Sequence, residues 1–556
     1  MPRYIRWQVL LIVLGVVLVG ILLAYLAANY TTVLRPGDGG TYVEGVVGSP
    51  RYLNPLLSSS QVDRDICSLL FRGLTRLNER GEVEPDLATR WDVSLDGLVY
   101  TFYLRTNVYW HDGASFTADD VLFTIGRLKS PDFPGPSDVG AQVWQAVTVE
   151  KLDRYKVRFT LTESYPFAPF LDYTTVGILP AHLLEGIPVA GLPDAEFNMN
   201  PVGSGPFRLE QVEVAGEDVT SMVLEKFSRY YGASPHFDRV QFRFYQNHQA
   251  VLDAYEAGEL EGVAEVLPSD LPRVLTFPDL DLFSAQMSEY GIVFLNLQNP
   301  ALPFFQEPEV RQALLYALDR QRIVDEALGG QAVVAHSPLI PGTWAYDDQI
   351  PHYEHDPGEA GELLDGAGWP LVDDVRRRAD QLLAFTLLTS DEPERIDVAR
   401  MIADQWAAVG VTVTVAISPS AQVRQALERR DFEAVLTYLS LPGDPDPYPF
   451  WHETQVEGGQ NYGGFVHRRA SEVLEQARVT VNREKRQALY SEFQEIFAQQ
   501  VPALLLYVPV YTYGVSDRVH DVQVGPLTCP ADRFRSISDW WIVPRRVFVS
   551  AAESGE

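Results

Sequence analysis

Two stretches of this chain carry side chains whose types and spacing could do chemistry. In YWHDGASFTADDV (109–121), His111 and Asp112 stand beside Trp110, and the acidic pair Asp119-Asp120 follows. A histidine among carboxylates can hold a metal ion or move a proton. Farther along, GDPDPYPFW (443–451) sets Asp444 and Asp446 two residues apart, a carboxylate pair of the kind hydrolases use. Neither stretch is supported by a catalytic motif. The chain has no H-E-x-x-H, no G-x-S-x-G, no G-x-x-x-x-G-K-[ST] and no dinucleotide glycine fingerprint. Gly203-Ser204-Gly205 reads as a turn, and the ten histidines suggest no metal-ligand pair on a helix face.

The elements that must position these residues read as mixed α and β. Tyr100, Phe102 and Leu104 alternate with Thr101, Tyr103 and Arg105, the period of a half-buried strand, and 219–227 and 239–245 alternate likewise. Asp112-Gly113 is turn chemistry. Thr117 then fits a helix N-cap with Asp120 closing an acidic form of the capping box, and both acids suit the positive helix end. His111 becomes a polar neighbour of that turn. Val310, Ala313, Leu314, Ala317 and Leu318 repeat at helical spacing after Pro308, and Ile396 to Val409 do so before Gly410. A strand follows at once over Val411–Ile417. A third helix near Arg483–Gln500 leads into the apolar run Ala503–Val510. Helix, glycine and strand in recurring order predict an α/β protein. Asp444 and Asp446 each precede a proline, which favours an extended loop, so capping or solvated carboxylates are the plain alternative to a site.

At 556 residues the chain exceeds the roughly 250–300 at which one core stops growing, so at least two domains are expected. A net charge of −31 without a basic block excludes a nucleic-acid partner. Cys67 and Cys529 fit no zinc or redox spacing; one long-range disulfide and two buried thiols both remain open. Val9–Ala28 carries no charge, and twenty residues at about 1.5 Å each span the ~30 Å core of a lipid bilayer. Arg3 and Arg6 precede it, so residues 1–8 are expected in the cytoplasm, 9–28 as a single-pass transmembrane anchor and 29–40 as a linker. The body then lies outside, extracellular or periplasmic. No small-x-small cleavage site and no lipid-accepting cysteine stand nearby, which favours an uncleaved anchor.

PDLATRWDVSLDGLVYTFYLRTNVYWHDGASFTADDV (85–121) resembles the family-5 extracellular solute-binding proteins of ABC importers, the oligopeptide, dipeptide and nickel-binding group. Their pattern of P-x-L-A-x-x-W, x-D-G, a strand ending L-R, W-x-D-G and T-A-x-D-V is present in order. YLNPLL (52–57), PVGSGPFRL (201–209), YYGASPHFDRVQFRFY (230–245), EVRQALLYALDRQRIV (309–324), AGELLDGAGW (360–369) and GDPDPYPFW with NYGGF (461–465) continue the likeness over more than 400 residues.

The resemblance implies a two-lobed periplasmic-binding-protein-like clamp of type II, in its large three-domain form. Mapped here, domain I takes 41–80, 203–285 and 505–545, domain II takes 81–202, and domain III, the second lobe, takes 286–504. It further implies a ligand cleft approached by Asn54, Asn296, Tyr438, Leu441, Asp444, Asp446, Tyr448, Trp451, Asn461 and Tyr462, with Arg311 and Arg320 in structural ion pairs. In peptide binders of this group, an acidic residue three positions before the G-D-P-D aspartate pairs with the peptide amine. Here that place falls on Leu441, which cannot hold an ammonium group. Replacing Leu441 with Asp is therefore expected to raise affinity for free-amine peptides. The expected function is capture of a peptide or other small polar solute by hinge closure, as a monomer, and delivery to ABC permease subunits. A sensing module without transport and an anchored hydrolase are the alternatives; no cofactor and no metal are expected.

Overall fold

The apolar run ending the third helix becomes one fourteen-residue strand, Ala503–Ser516, in the computed structural model of the protein. The structure describes residues 3–550 apart from 79–80, 136–140, 163–169, 217, 442 and 481. The strand runs past Val510 because two different partners hold its halves. Its first half pairs antiparallel with Glu289–Leu295, and its second with Leu280–Gln286 and Gly262–Val263. The two long partners are consecutive in sequence, separated only by Met287-Ser288. Two adjacent chain segments thus cross together from one half of the molecule to the other.

A twelve-stranded sheet extends to both sides of this crossing. On one side Ala384–Ser390 lies parallel to Thr412–Ser418, and Ala434–Ser440 joins them to Glu289–Leu295. On the other, Thr41–Val47 lies parallel to Arg239–Tyr245, followed by the antiparallel Asp218–Lys226 and Phe207–Ala215. Apolar side chains divide in the same way. One large buried cluster runs from Tyr290 to Val508, and another gathers residues from Tyr42 to Trp540. The chain is a two-lobed clamp, with Val99–Leu104 in a separate four-stranded sheet of the first lobe.

Local expectations mostly hold. Helices form over Pro308–Tyr316, Pro393–Ala408 and Arg483–Gln500. Thr117 caps Ala118–Leu128, accepting from the Asp119 amide at 3.3 Å, while Asp120 accepts from the Thr117 amide at 2.8 Å. His111 has a definite structural task. Its Nδ1 accepts from the Gly203 amide at 3.0 Å and its Nε2 lies 3.2 Å from the Gly205 carbonyl, tying the first-lobe turn together. Burial holds this imidazole down to about 4, so it stays neutral. Arg311 and Arg320 are structural, yet not through ion pairs. Arg311 donates to the Phe305, Gln500 and Val501 carbonyls, and Arg320 to those of Ala335, Leu505 and Tyr353.

Deep in the first lobe Arg533 is wholly buried between Glu44 and Asp65, donating to Asp65 at 2.7 and 2.9 Å. Glu44 also accepts from Tyr42 at 2.8 Å and Tyr513 at 2.6 Å. Cys67 and Cys529 are free thiols, both pushed up by burial, Cys529 to about 12.

The amino terminus differs from the expected plain tether. Helix Arg3–Asn29 runs into strand Tyr30–Gly37, which pairs antiparallel with Val543–Ser550 along its whole length. The β-branched letters Thr31, Thr32 and Val33 favour that extended ribbon. Val9–Leu22 of the helix are exposed throughout, while the side chains of 23–24 and 26–28 lie outside the described residues. Among the described residues no helix is long and apolar enough to cross a membrane.

Candidate functional site: an acidic cleft between the lobes

The long crossing strand supplies the floor of the cleft. Tyr507 stands in its second-lobe half and Tyr511 in its first-lobe half. Gly291 pairs with both Tyr507 and Tyr438, and a Cβ on it would fall 2.6 Å from the Tyr507 ring. The missing side chain lets the two tyrosine rings meet edge to face, with centroids 5.9 Å apart and hydroxyls sharing a 3.1 Å hydrogen bond.

Acidic groups gather above this floor from separate elements. Glu394, in the first turn of Pro393–Ala408, accepts from the Tyr438 hydroxyl at 2.6 Å. Glu289, opening its strand, accepts from Ser440 at 3.0 Å. Arg395 lies over the Tyr438 ring at 4.7 Å and is the cation beside them. From the first lobe, Glu265 follows strand Gly262–Val263 and lines a cavity of about 70 Å³ with Gln61, Asp65, His248 and Tyr511.

Glu265 makes no hydrogen bond or ion pair to a described residue. Its carboxyl is raised by burial, opposed by His248 and Arg533, and raised again by Asp65 and by Glu394 of the other lobe. Glu289 is likewise raised by burial and by Glu394. Like charges in a cleft disfavour one another's ionisation, and a cation placed among them reverses that. Chemically the arrangement can receive a positively charged group between aromatic walls.

The lobes also touch at a second place. A Cβ on Gly443 would lie 2.9 Å from Asp172 of the first lobe, and Arg483 reaches Glu82 across the gap at 3.3 Å. Asp172 is pushed up to about 8, by burial first and by Asp444 second.

The residues that sequence reasoning placed at the ligand are mostly occupied by the protein. Asn54 is fully buried and bonds the Leu56 amide and Asn198. Asn296 donates to the Arg430 and Phe432 carbonyls, and Asn461 to those of His452 and Phe465. Trp451 packs against Phe294 and Phe497 in the second-lobe core. Leu441 belongs to the same core at 6% exposure, with its amide bound to the Ser288 carbonyl, so an aspartate there would enter apolar surroundings. Asp444 is gripped by Arg486, with 2.6 Å at one oxygen, and Asp446 by Arg478 at 2.7 and 2.8 Å. Tyr448 is stacked between His452 and Arg478, and Tyr462 lies against Phe294 and Arg430. Of the ten, Tyr438 is the one brought together with the cleft acids.

Glu265, Glu289, Glu394, Tyr507 and Tyr511 were missed. One signal existed: Glu265 interrupts the apolar run V-A-E-V-L, and Glu289 opens E-Y-G-I-V-F-L, where charge is out of place unless used.

Residues 82–462 match the model of the bacterial extracellular solute-binding proteins, family 5, middle region. The chain is 29% identical to the oligopeptide-binding protein AppA of Bacillus subtilis, across 91% of this chain and 92% of that one. It is 28% identical to the dipeptide-binding protein of Escherichia coli, covering 89% and 94%. Among solved structures, AppA of B. subtilis with a nonapeptide superposes with TM-score 0.73 at 28% identity, covering 92% of this chain and all of that one. NikZ of Campylobacter jejuni with Ni(L-His) gives 0.73 at 25% identity, covering 90% and 99%.

Proposed function

Because the chain belongs to family 5 of the bacterial extracellular solute-binding proteins, we propose that it captures an amine-bearing solute, such as a short peptide, between its lobes. One observation carries this reading: Glu265 of the first lobe, with no hydrogen bond or ion pair to a described residue, lines a cavity with Tyr511 of the crossing strand, and Tyr507 of the same strand bonds the Tyr438 hydroxyl that Glu394 of the second lobe holds. With the cleft empty, closure brings like charges together. An ammonium group between them turns that repulsion into attraction, so ligand binding and closure become one event. A ligand shifts an open–closed equilibrium only by its difference in affinity for the two states, and contacts from both lobes supply that difference.

The amine contact of this reading sits at Glu265 and Glu394 rather than at position 441. The loaded clamp delivers its solute to an ABC permease. The domain boundaries read from sequence, 41–80 with 203–285 and 505–545, then 81–202, then 286–504, describe the moving bodies. The membrane anchor of this reading rests on the sequence: residues 9–28 are uncharged, and twenty residues at about 1.5 Å each span the ~30 Å core of a bilayer.

Titration calorimetry with matched di- to pentapeptides, free or acetylated at the amino terminus, tests the reading. Free-amine peptides are expected to bind and acetylated ones to fail. Equal binding of both sets overturns it.

A further inference from the structure

A second cluster of ligating side chains lies in the second lobe and shares no residue with the cleft. His336 follows strand Ala332–Val334, which pairs with the crossing strand, and His352 and Glu354 lie sixteen and eighteen residues on, past an irregular loop. One donor atom from each of the three falls within 4.8 Å of the others, the one such group among the described residues. His336 is half-buried, while His352 and Glu354 are exposed.

We propose that His336, His352 and Glu354 bind a divalent ion of the Zn²⁺ type, outside the solute cleft. Two imidazoles and one carboxylate are the donor set that suits zinc and its neighbours, whereas calcium and magnesium prefer oxygen alone. Bonds of about 2.0–2.1 Å in a tetrahedron place donors about 3.4 Å apart, so the cluster needs a modest contraction. The rings stack with centroids 3.9 Å apart and planes 16° from parallel, so their in-plane lone pairs do not yet converge. His352 and Glu354, on exposed chain, can swing to meet His336. The opposing charge is Arg320, whose Nη2 lies 3.5 Å from His336 Nδ1. Arg320 is already committed to three carbonyls, and Glu354 is the acid that acts on it electrostatically, which offsets its effect on an incoming cation.

The site sits at the base of the loop it would close. Within that loop Ser337 donates to Gln494 at 2.6 Å, the Asp347 amide does so at 3.1 Å, and Trp344 lies 5.3 Å from both Arg483 and Arg486. An ion joining the loop's two ends removes closure entropy from the unfolded chain and so stabilises the second lobe.

The test uses the full chain, free of any affinity tag, in detergent. Thermal unfolding and calorimetry are run with ZnCl₂, with ZnCl₂ plus EDTA, and with MgCl₂. One equivalent of Zn²⁺ is expected to bind and raise the Tm, EDTA to reverse the rise, and Mg²⁺ to leave it unchanged. The exposed variant His352→Gln, which keeps the buried packing, is expected to lose the shift, and Glu354→Gln to reduce it. A saturating cleft peptide leaves the Zn²⁺ titration unaltered, which separates this site from the solute site. No Zn²⁺ heat, or the same Zn²⁺ binding by His352→Gln, overturns the proposal.

Discussion

Two acidic regions face the space between the lobes, and their surroundings are opposite. In the loop around Asp444 and Asp446 each carboxylate meets its own arginine, Arg486 and Arg478, from helices some thirty to forty residues on. In the cleft, Glu265, Glu289 and Glu394 come from three separate elements; Arg395 acts on Glu289 and lies over the Tyr438 ring that Glu394 holds, while the only cations Glu265 feels are His248 and Arg533, without bonding either. Paired buried charges satisfy each other and fix geometry, whereas unpaired ones in an accessible cleft await a counter-charge from outside. Charge alone does not distinguish the two. The partner does.

Removing a partner should therefore hurt most where pairs exist. Arg486→Ala leaves Asp444 buried without its cation and is expected to cost about 3–5 kcal/mol, read as a fall in Tm or in denaturant midpoint. A change under 1 kcal/mol would place the loop among solvent-screened pairs instead. Glu265→Gln is expected to do the reverse, leaving the Tm near wild type while free-amine peptide affinity falls by about 1.5–3 kcal/mol. Calorimetry beside thermal unfolding reads both quantities from one preparation.

Asp172 of the first lobe lies against the Asp444 loop, at Gly443. Its folded pKa of about 8 stands above the ordinary 3.8. Between those values the folded chain keeps a proton that the unfolded chain has lost, so this group makes stability fall as pH rises from about 4 to 8. Asp172→Asn should flatten that slope and stabilise the protein at pH 8, seen in denaturant midpoints across the window. An unchanged slope would remove Asp172 from the contact's electrostatics. The smallest expected effect is a control in neither region: Thr117→Ala, losing a helix cap, costs about 1 kcal/mol by the same unfolding assay with peptide binding intact.

The fold was legible because its signals are local. The T-A-D-D-V cap, the Asp112-Gly113 turn and the helix–glycine–strand order each rest on neighbours a few residues apart, and each forms. The site was legible only as a region. Asn54, Asn461 and Asp444 stood out as polar letters in loops, yet polar side chains organise loop backbones as readily as they bind ligands. What consumes them, such as Arg486 for Asp444 or the Phe465 carbonyl for Asn461, is fixed by folding. Leu441 carries no charge for an amine, and nothing near it in sequence points to the acids proposed for that contact. Glu265 and Glu394 lie 129 residues apart in the chain, and only the fold brings one to act on the other's charge.

The most direct test of the account is the radius of gyration in solution scattering, with and without a saturating free-amine peptide. It is measured on wild type and on the Glu265→Gln, Glu394→Gln double variant. The account predicts that peptide contracts the wild type and leaves the double variant as extended as the unliganded protein. Contraction of the double variant by the same peptide, at the same concentration, would contradict it.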